Sequence, residues 1–170
     1  MAEKGIRKGV KEGFADNKAE ETRRIPKRIG ISDAEWKESI QEEREIERIM
    51  QVFPRTLPDA FDAVMNLYQI QDKELAEDSD VDEKTIKRVR NVMGYKPRLP
   101  TMIQLCIGLR VPTVICLALI EVSGYRLQFY GVELAYYYIL TQKIGCTLYD
   151  CNRYLKDLGY SQLGENYIVA

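Results

Sequence analysis

Histidine is absent from this 170-residue chain, and its absence excludes several kinds of active site at once. Histidine is the commonest general base, the usual zinc ligand and the partner that activates serine or cysteine nucleophiles. Chemistry based on carboxylates or lysine remains open, but no constellation of such residues marks a catalytic centre. The sequence therefore predicts a protein that is not an enzyme, with no catalytic site, no metal site and no cofactor.

Cysteine is scarce, and the four cysteines show no CxxC spacing; they are Cys106, Cys116, Cys146 and Cys151. Three of them lie among apolar residues of predicted helices. We interpret them as buried, reduced thiols in a cytoplasmic protein. A disulfide framework or a metal site is the less favoured alternative.

No uninterrupted apolar segment is long enough to span a membrane. Arg110 and Pro112 split the run over residues 102–122 into two pieces of about ten residues, whereas a span needs about 20. Residues 1–28 are charged throughout, so no signal peptide is visible. We therefore expect a cytoplasmic protein with no membrane partner.

An overall excess of positive charge is also missing, because the net charge is −1 and the pI is about 5.7. Any nucleic-acid site must arise from local charge separation. One such region is at the start of the chain, where residues 1–28 hold nine Lys or Arg against five acids, a net charge of +4. We predict a basic, flexible arm over 1–30, which either contacts phosphates nonspecifically or is a solvated tail with no role.

The remaining chain shows helical periodicity and no convincing strand pattern, which predicts an all-α protein. Ser32 and Glu35 have the spacing of a capping box, which opens an amphipathic N-terminal helix within segment 31–56. Its narrow apolar stripe suits packing either on the main domain or on a second chain. The sequence leaves both uses open.

Segment 57–124 is predicted to form a compact five-helix domain. Pro58 suits the first turn of one helix, and Gly124 suits the end of the last. The three helices that flank the central pair are expected over residues 58–70, 101–110 and 113–123. Segment 125–170 is then a small C-terminal helical extension for dimerisation or partner binding, in which six tyrosines fall between residues 125 and 149.

Residues 72–91 carry the most informative pattern in the chain, two short helices joined by a turn of about three residues. Asp72 and Asp82 are expected to cap the two helices, and Asp80 to adopt the left-handed conformation at the turn. The apolar and small residues fall where they bury one face of each helix, at Leu75, Ala76, Val81, Ile86 and Val89.

Residues 59–123 resemble the Cro/CI (XRE-like) helix-turn-helix domain. The matching features are Lys73-Glu74-Leu75-Ala76, then Val81 to Val89, then Pro97 to Pro100 and the segment from Met102 to Pro112. The resemblance implies a five-helix bundle that binds DNA sequence-specifically, usually as a dimer, in transcription regulation or in phage and plasmid maintenance. Three positions depart from the family pattern: Asp72 replaces a common glutamine, Ser79 an aliphatic residue and Asp80 the favoured turn glycine.

Carried over by position, the resemblance implies that the second helix of the pair lies in the major groove. With the neighbouring cations added, the residues predicted to contact DNA are Lys73, Glu83, Lys84, Lys87, Arg88, Arg90, Lys96 and Arg98. Local charge supports this choice, because residues 72–82 hold six acids and one cation, a net of −5, and residues 83–98 hold six cations and one acid, a net of +5.

The sequence thus predicts a DNA-binding transcription regulator, repressor or antitoxin-like, that binds double-stranded DNA as a homodimer. The alternative is a protein-interaction adaptor that keeps the helix-turn-helix fold without binding DNA. That alternative relies on the acidic first helix and on the tyrosine-rich extension, which could also contact a protein partner because tyrosine is enriched at interfaces.

Overall fold

The computed structural model describes Ile25, Lys27 and residues 30–164. Within these residues the chain forms eight helices and no strand, which confirms the all-α prediction. Nearly all of the predicted basic arm over 1–30, and the end of the extension at 165–170, lie outside the described residues. The helices are α1 (Asp33–Gln51), α2 (Leu57–Leu67), α3 (Asp72–Ser79), α4 (Glu83–Asn91), α5 (Leu99–Leu109), α6 (Thr113–Val122), α7 (Gly131–Gln142) and α8 (Leu148–Asp157).

Helix α1 begins at the predicted capping box. The Ser32 backbone N–H donates to Glu35 Oε2 at 2.9 Å, and the Glu35 N–H donates to Ser32 Oγ at 3.3 Å. No residue of α1 is buried, and Trp36 keeps 57% of its surface exposed. The chain divides into two compact units, Met1–Ile40 and Gln41–Ala170, and the boundary falls inside this helix.

Prolines mark the starts of α2 and α5, where a missing backbone N–H costs nothing because the first turn has no partner for it. Pro58 lies in the first turn of α2, and Pro100 in the first turn of α5. Helix α5 therefore starts at Leu99, two residues earlier than the predicted 101–110 helix. Helix α2 ends at Leu67 instead of residue 70, because Gln69 adopts a left-handed conformation.

The α3–α4 pair follows the predicted boundaries closely. Asp80 has a φ of 53°, in the left-handed region, and the Asp82 carboxylate accepts the Thr85 N–H at 2.9 Å as the cap of α4. The prediction that Asp72 caps α3 is wrong, because the cap position is Gln71 and Asp72 is the first helical residue. The buried Gln104 amide donates to the Ser79 carbonyl at 3.1 Å and so satisfies the end of α3 from outside the pair.

One hydrophobic core connects α2–α6 with the C-terminal extension. Helix α5 packs on α3, α6, α7 and α8, and α4 packs on α2 and α3. The fully buried side chains include Phe61, Ile86, Met102, Ile139 and Leu155, which come from five different helices. The extension therefore completes the same core as the α3–α4 pair.

Helix α8 starts at a capping box formed by Thr147 and Asp150. Cys151 and Leu155 are buried on one side of this helix, but Leu158 at the helix end keeps 49% of its surface exposed. All four cysteines are described, and none is in a disulfide. The predicted burial is confirmed for three of them, whereas Cys146 is half-buried. No helix among the described residues is both long and apolar enough to cross a membrane.

Candidate nucleic-acid interface

Helix α4 carries the densest group of exposed cations next to an apolar anchor. Ile86 and Val89 are buried, and Lys84, Lys87 and Arg88 are exposed. These two sets alternate because a helix turns about 100° per residue, so that one side is fixed in the core and the opposite side faces solvent. The cap made by Asp82 fixes where this helix begins.

The two lysines of α4 are only lightly held. Lys87 Nζ lies 3.3 Å from Glu83 Oε2, and both side chains are largely exposed, so this pair contributes little to stability. Lys84 forms no ion pair with any residue that the structure describes. Both ammonium groups can therefore reach a polyanion at small cost.

Arg88 is held differently, by an aromatic ring. Its guanidinium carbon lies 4.3 Å from the centroid of the Tyr95 ring, within the range of a cation–π contact. Tyr95 is half-buried in the loop between α4 and α5, where its backbone N–H donates to the Val92 carbonyl at 3.2 Å. The sequence pattern had not singled out this tyrosine.

Arg90 has a structural role instead. Its guanidinium contacts Asp62 of α2 through two nitrogens and Asp72 of α3 at 2.5 Å. The hydrogen bond to Asp62 is the main cause that raises the Arg90 pKa above its ordinary value. Arg90 therefore connects three helices. Only 22% of its side chain is exposed and its donors are engaged, so we remove it from the set of proposed DNA contacts.

The α4–α5 loop carries the two remaining basic candidates. Lys96 Nζ lies 4.2 Å from the Tyr125 ring centroid and donates to the Gly124 carbonyl at 3.3 Å, so it closes the end of α6. The Tyr125 hydroxyl in turn donates to the Pro97 carbonyl at 3.0 Å. Arg98 is exposed at the start of α5 and forms no ion pair with a described residue.

A cleft of about 460 Å³ connects this loop with the start of α4. Thr85, Tyr95, Lys96 and Arg98 line it together with the two turn carboxylates of Asp80 and Asp82. The cleft therefore has mixed charge. Lys96 and Arg98 attract an anion on the loop side of the cleft, and Asp80 and Asp82 repel it on the turn side.

The acids of α3 are mostly paired within the fold. Asp78 contacts the Arg110 guanidinium, which also lies 4.0 Å from Glu74. Glu77 lies 4.0 Å from Lys73, the predicted contact at the start of α3, and both side chains are exposed. Together with the pairing of Asp72 to Arg90, four of the six acids in residues 72–82 have a cation beside them. The local charge of −5 thus overstates the repulsion that a phosphate would meet.

Most of these partners could not be found from the sequence. Asp62 and Arg90 are 28 residues apart, and Asp78 and Arg110 are 32 apart. Helical periodicity carries no information about such pairs. The sequence predicts that Lys96 touches phosphate because it is a basic residue in a loop. Its aromatic partner Tyr125 lies after α6, and no local pattern links the two residues.

No group of three or more His, Cys, Asp or Glu able to hold a metal occurs among the described residues. In comparisons with family models, curated proteins and solved structures, nothing matches this chain.

Proposed function

We propose that this protein is a sequence-specific DNA-binding transcription regulator, a repressor or an antitoxin-like protein, whose helix α4 reads the major groove. In this proposal α2–α6 are the five helices of a Cro/CI-like domain. The observation that supports it is the exposed cationic side of α4, where Lys84, Lys87 and Arg88 face solvent and Ile86 and Val89 hold the helix on the core.

The chemistry of these groups suits both parts of a duplex. Ammonium and guanidinium groups bind phosphate oxygens, and arginine or lysine pairs with the guanine O6 and N7 atoms in the major groove. Glu83, in the first turn of α4, can accept from the cytosine amino group. Arg98 is placed to add a phosphate contact from the loop.

The number of contacts sets the expected salt dependence. With about three phosphates neutralised by Lys84, Lys87 and Arg98 in each protomer, the slope of log K against log salt is about −2.7 for one protomer and about −5.4 for a dimer. Raising the salt from about 50 to about 200 mM would then weaken binding roughly 40-fold for a monomer and on the order of 1,000-fold for a dimer. The paired acids of α3 lower the repulsion that would otherwise oppose this attraction.

We further propose that the protein binds as a homodimer. Helix-turn-helix dimers place two recognition helices about 34 Å apart, so that they meet successive major grooves on one side of the duplex. The preferred DNA should then contain two inverted half-sites about 10 base pairs apart. Sedimentation equilibrium of the full chain tests the association, and a monomer at all concentrations, with and without DNA, would remove this part of the proposal.

The proposed function is tested by selecting duplexes from a random pool with the full chain. Binding of the selected duplex is then followed by fluorescence anisotropy at about 50 and 200 mM salt. We expect Lys84→Ala/Lys87→Ala to abolish most binding. The matched control Lys143→Ala/Lys156→Ala removes the same charge from the C-terminal helices and should bind as the wild type does. Failure of the wild type to enrich any duplex would sink the proposal.

A protein-interaction adaptor is the second candidate, favoured by the exposed aromatic side chains of the C-terminal extension. Phe129, Tyr130 and Tyr149 are each more than 70% exposed. Exposed aromatic residues are typical anchors of protein interfaces. The DNA selection separates the two functions, because an adaptor would enrich no sequence and its binding to a protein would be weakened by Tyr149→Ala and not by Lys84→Ala.

A further inference from the structure

The proposed interface contains one arginine that is supported by an aromatic ring while its donors remain open. The Arg88 guanidinium carbon lies over the Tyr95 ring, 4.3 Å from the centroid. A cation–π contact gives the five N–H groups of a guanidinium no oxygen or nitrogen acceptor, so they remain available to a ligand. No described residue accepts a hydrogen bond from this guanidinium.

Arg90, two residues further along α4, provides the contrast. Its N–H donors are occupied by Asp62 and Asp72, and it is held by its edge. A base needs that same edge, because the guanine O6 and N7 atoms accept two parallel N–H groups. Of the two arginines in α4, only Arg88 combines a fixed position with an available edge.

Tyr95 is itself part of a braced loop, which makes its ring a firm support. The ring is half-buried against the core, and the Tyr95 N–H donates to Val92. Two residues further on, the Pro97 carbonyl accepts the Tyr125 hydroxyl at 3.0 Å. The loop is therefore fastened both to the end of α4 and to the segment after α6.

We infer that Arg88 reads a guanine base in the major groove and that Tyr95 is the positioning residue that holds it for this purpose. The inference rests on the proposed function and adds to it the base that is read and the residue outside α4 that sets its specificity. A side chain already held by a ring loses less conformational freedom on binding than one that is mobile. The benefit therefore appears in discrimination between bases more than in attraction to phosphate.

The test uses the full-length protein and the duplex it selects from a random pool, so that wild-type enrichment tests the proposed function first. Guanines in the selected site are replaced one at a time by 7-deazaguanine, which lacks the N7 acceptor. At one guanine the wild type should lose about tenfold in affinity, the order expected when a bidentate contact is broken. The same replacement should have little effect on Arg88→Ala.

Tyr95→Leu and Tyr95→Phe then test the support. Tyr95→Phe keeps the ring face and should behave as the wild type. Tyr95→Leu should lose most of the 7-deazaguanine effect while its salt slope and its affinity for random duplex stay nearly unchanged. Tyr68→Leu removes a tyrosine that is 37% exposed at the end of α2, outside both proposed binding surfaces, and serves as the matched control. Circular dichroism checks that each variant is folded.

The outcomes are distinguishable. No enriched duplex for the wild type would overturn the proposed function and this inference with it. Alternatively, the wild type enriches a duplex in which no single guanine shows a 7-deazaguanine effect that depends on Arg88. That result would overturn the inference and leave the proposed function standing. Equal 7-deazaguanine effects in wild type and Tyr95→Leu would show that the ring does not position Arg88.

Discussion

Ser79 of α3 packs against Gly108 of α5 so closely that a Cβ atom on Gly108 would lie 2.8 Å from the Cβ of Ser79. Ser79 is fully buried, and its hydroxyl donates to the Leu75 carbonyl at 2.6 Å. Two small residues facing one another let the helices approach closely. This contact explains why a serine occupies a position where the family resemblance leads one to expect an aliphatic side chain.

Gly108→Ala should therefore destabilise the protein, although glycine to alanine inside a helix normally stabilises by up to about 1 kcal/mol. The added methyl would meet Ser79 and would also lie 3.0 Å from Leu75 Cδ1 and from the Ser79 backbone nitrogen. Overpacking of this kind costs about 1–3 kcal/mol. Urea unfolding followed by circular dichroism measures the change in the free energy of unfolding.

A second variant identifies the cause. In the Ser79→Gly background the nearest clash is absent. Adding Gly108→Ala there should therefore lower the free energy of unfolding by less than it does in the wild type. Part of the loss stays because the Leu75 contact remains. A Gly108→Ala variant as stable as the wild type would contradict a steric clash between α3 and α5 at this position.

Replacing Arg90 should affect stability more than DNA affinity. Arg90→Met removes the contacts to Asp62 and Asp72 and leaves two partly buried carboxylates without their cation, at a cost of about 1–3 kcal/mol. In a double-mutant cycle with Asp72→Asn the two losses should not add, because both variants break the same contact. Urea unfolding gives the free energies, and anisotropy should give an affinity for selected DNA within about threefold of the wild type.

The contrast between Arg88 and Arg90 shows what the sequence can predict here. Helix α4 was placed correctly because its signals are local: the cap at Asp82, the buried spacing of Ile86 and Val89, and the run of cations. What each cation does was not predictable, because the partners Tyr95 and Asp62 are set by tertiary packing that has no sequence period. The sequence therefore predicts which helix carries the proposed interface, and the structure shows which of its cations are engaged by other residues.

The Asp82 cap should give a distinctive pH dependence. The Thr85 hydroxyl, followed by the Thr85 backbone N–H, lowers the Asp82 pKa below its ordinary value of 3.8. A lowered folded-state pKa stabilises the protein above about pH 4, and this contribution is lost as the pH falls through the folded value. Asp82→Ala should cost about 1 kcal/mol at pH 7.

The matched variant is Asp82→Asn, which keeps a capping oxygen but cannot titrate. The stability difference between wild type and Asp82→Asn should be largest near pH 7 and shrink between about pH 4 and pH 2. Urea unfolding at several pH values measures it. A difference that stays constant over this range would contradict the role assigned to the ionised carboxylate.

The four thiols should differ sharply in reactivity. Burial, with smaller effects from Cys146 and Asp150, raises the Cys151 pKa to about 11. At about pH 8 roughly one thiol in a thousand is then ionised, and the thiolate is the reactive form. The hydrogen bond with Cys116, together with burial, also raises the Cys106 pKa well above its ordinary value.

We therefore expect iodoacetamide at about pH 8 to modify the half-buried Cys146 at least about tenfold faster than the three buried cysteines. Tandem mass spectrometry of tryptic peptides at successive times identifies the modified thiol, with fragment ions separating Cys146 from Cys151, which share one peptide. In concentrated urea all four should react at similar rates. Early modification of Cys106 or Cys116 in the native protein would mean that this part of the core opens readily.

The Asn152 side-chain amide holds the C-terminal segment in place. It donates to the Leu163 carbonyl at 2.8 Å and accepts the Leu163 N–H at 2.7 Å. Asn152→Ala should cost about 1–3 kcal/mol, since both backbone groups lose their partner and Leu163 is buried. The exposed Asn66→Ala is the matched control and should change stability by less than about 0.5 kcal/mol.

The effect of Asn152→Ala should extend to the α3–α4 turn, because Gly164 is in contact with it. A Cβ at Gly164 would lie 2.8 Å from Asp80 Oδ2 and 3.0 Å from Gln104 Nε2, the amide that satisfies the end of α3. Releasing this segment uncovers the buried Gln104 amide to water. Hydrogen exchange should therefore quicken at the amides of residues 80–85 in Asn152→Ala, while the α7 amides change much less. Equal acceleration in both places would instead indicate general destabilisation, and no specific link between the extension and the turn.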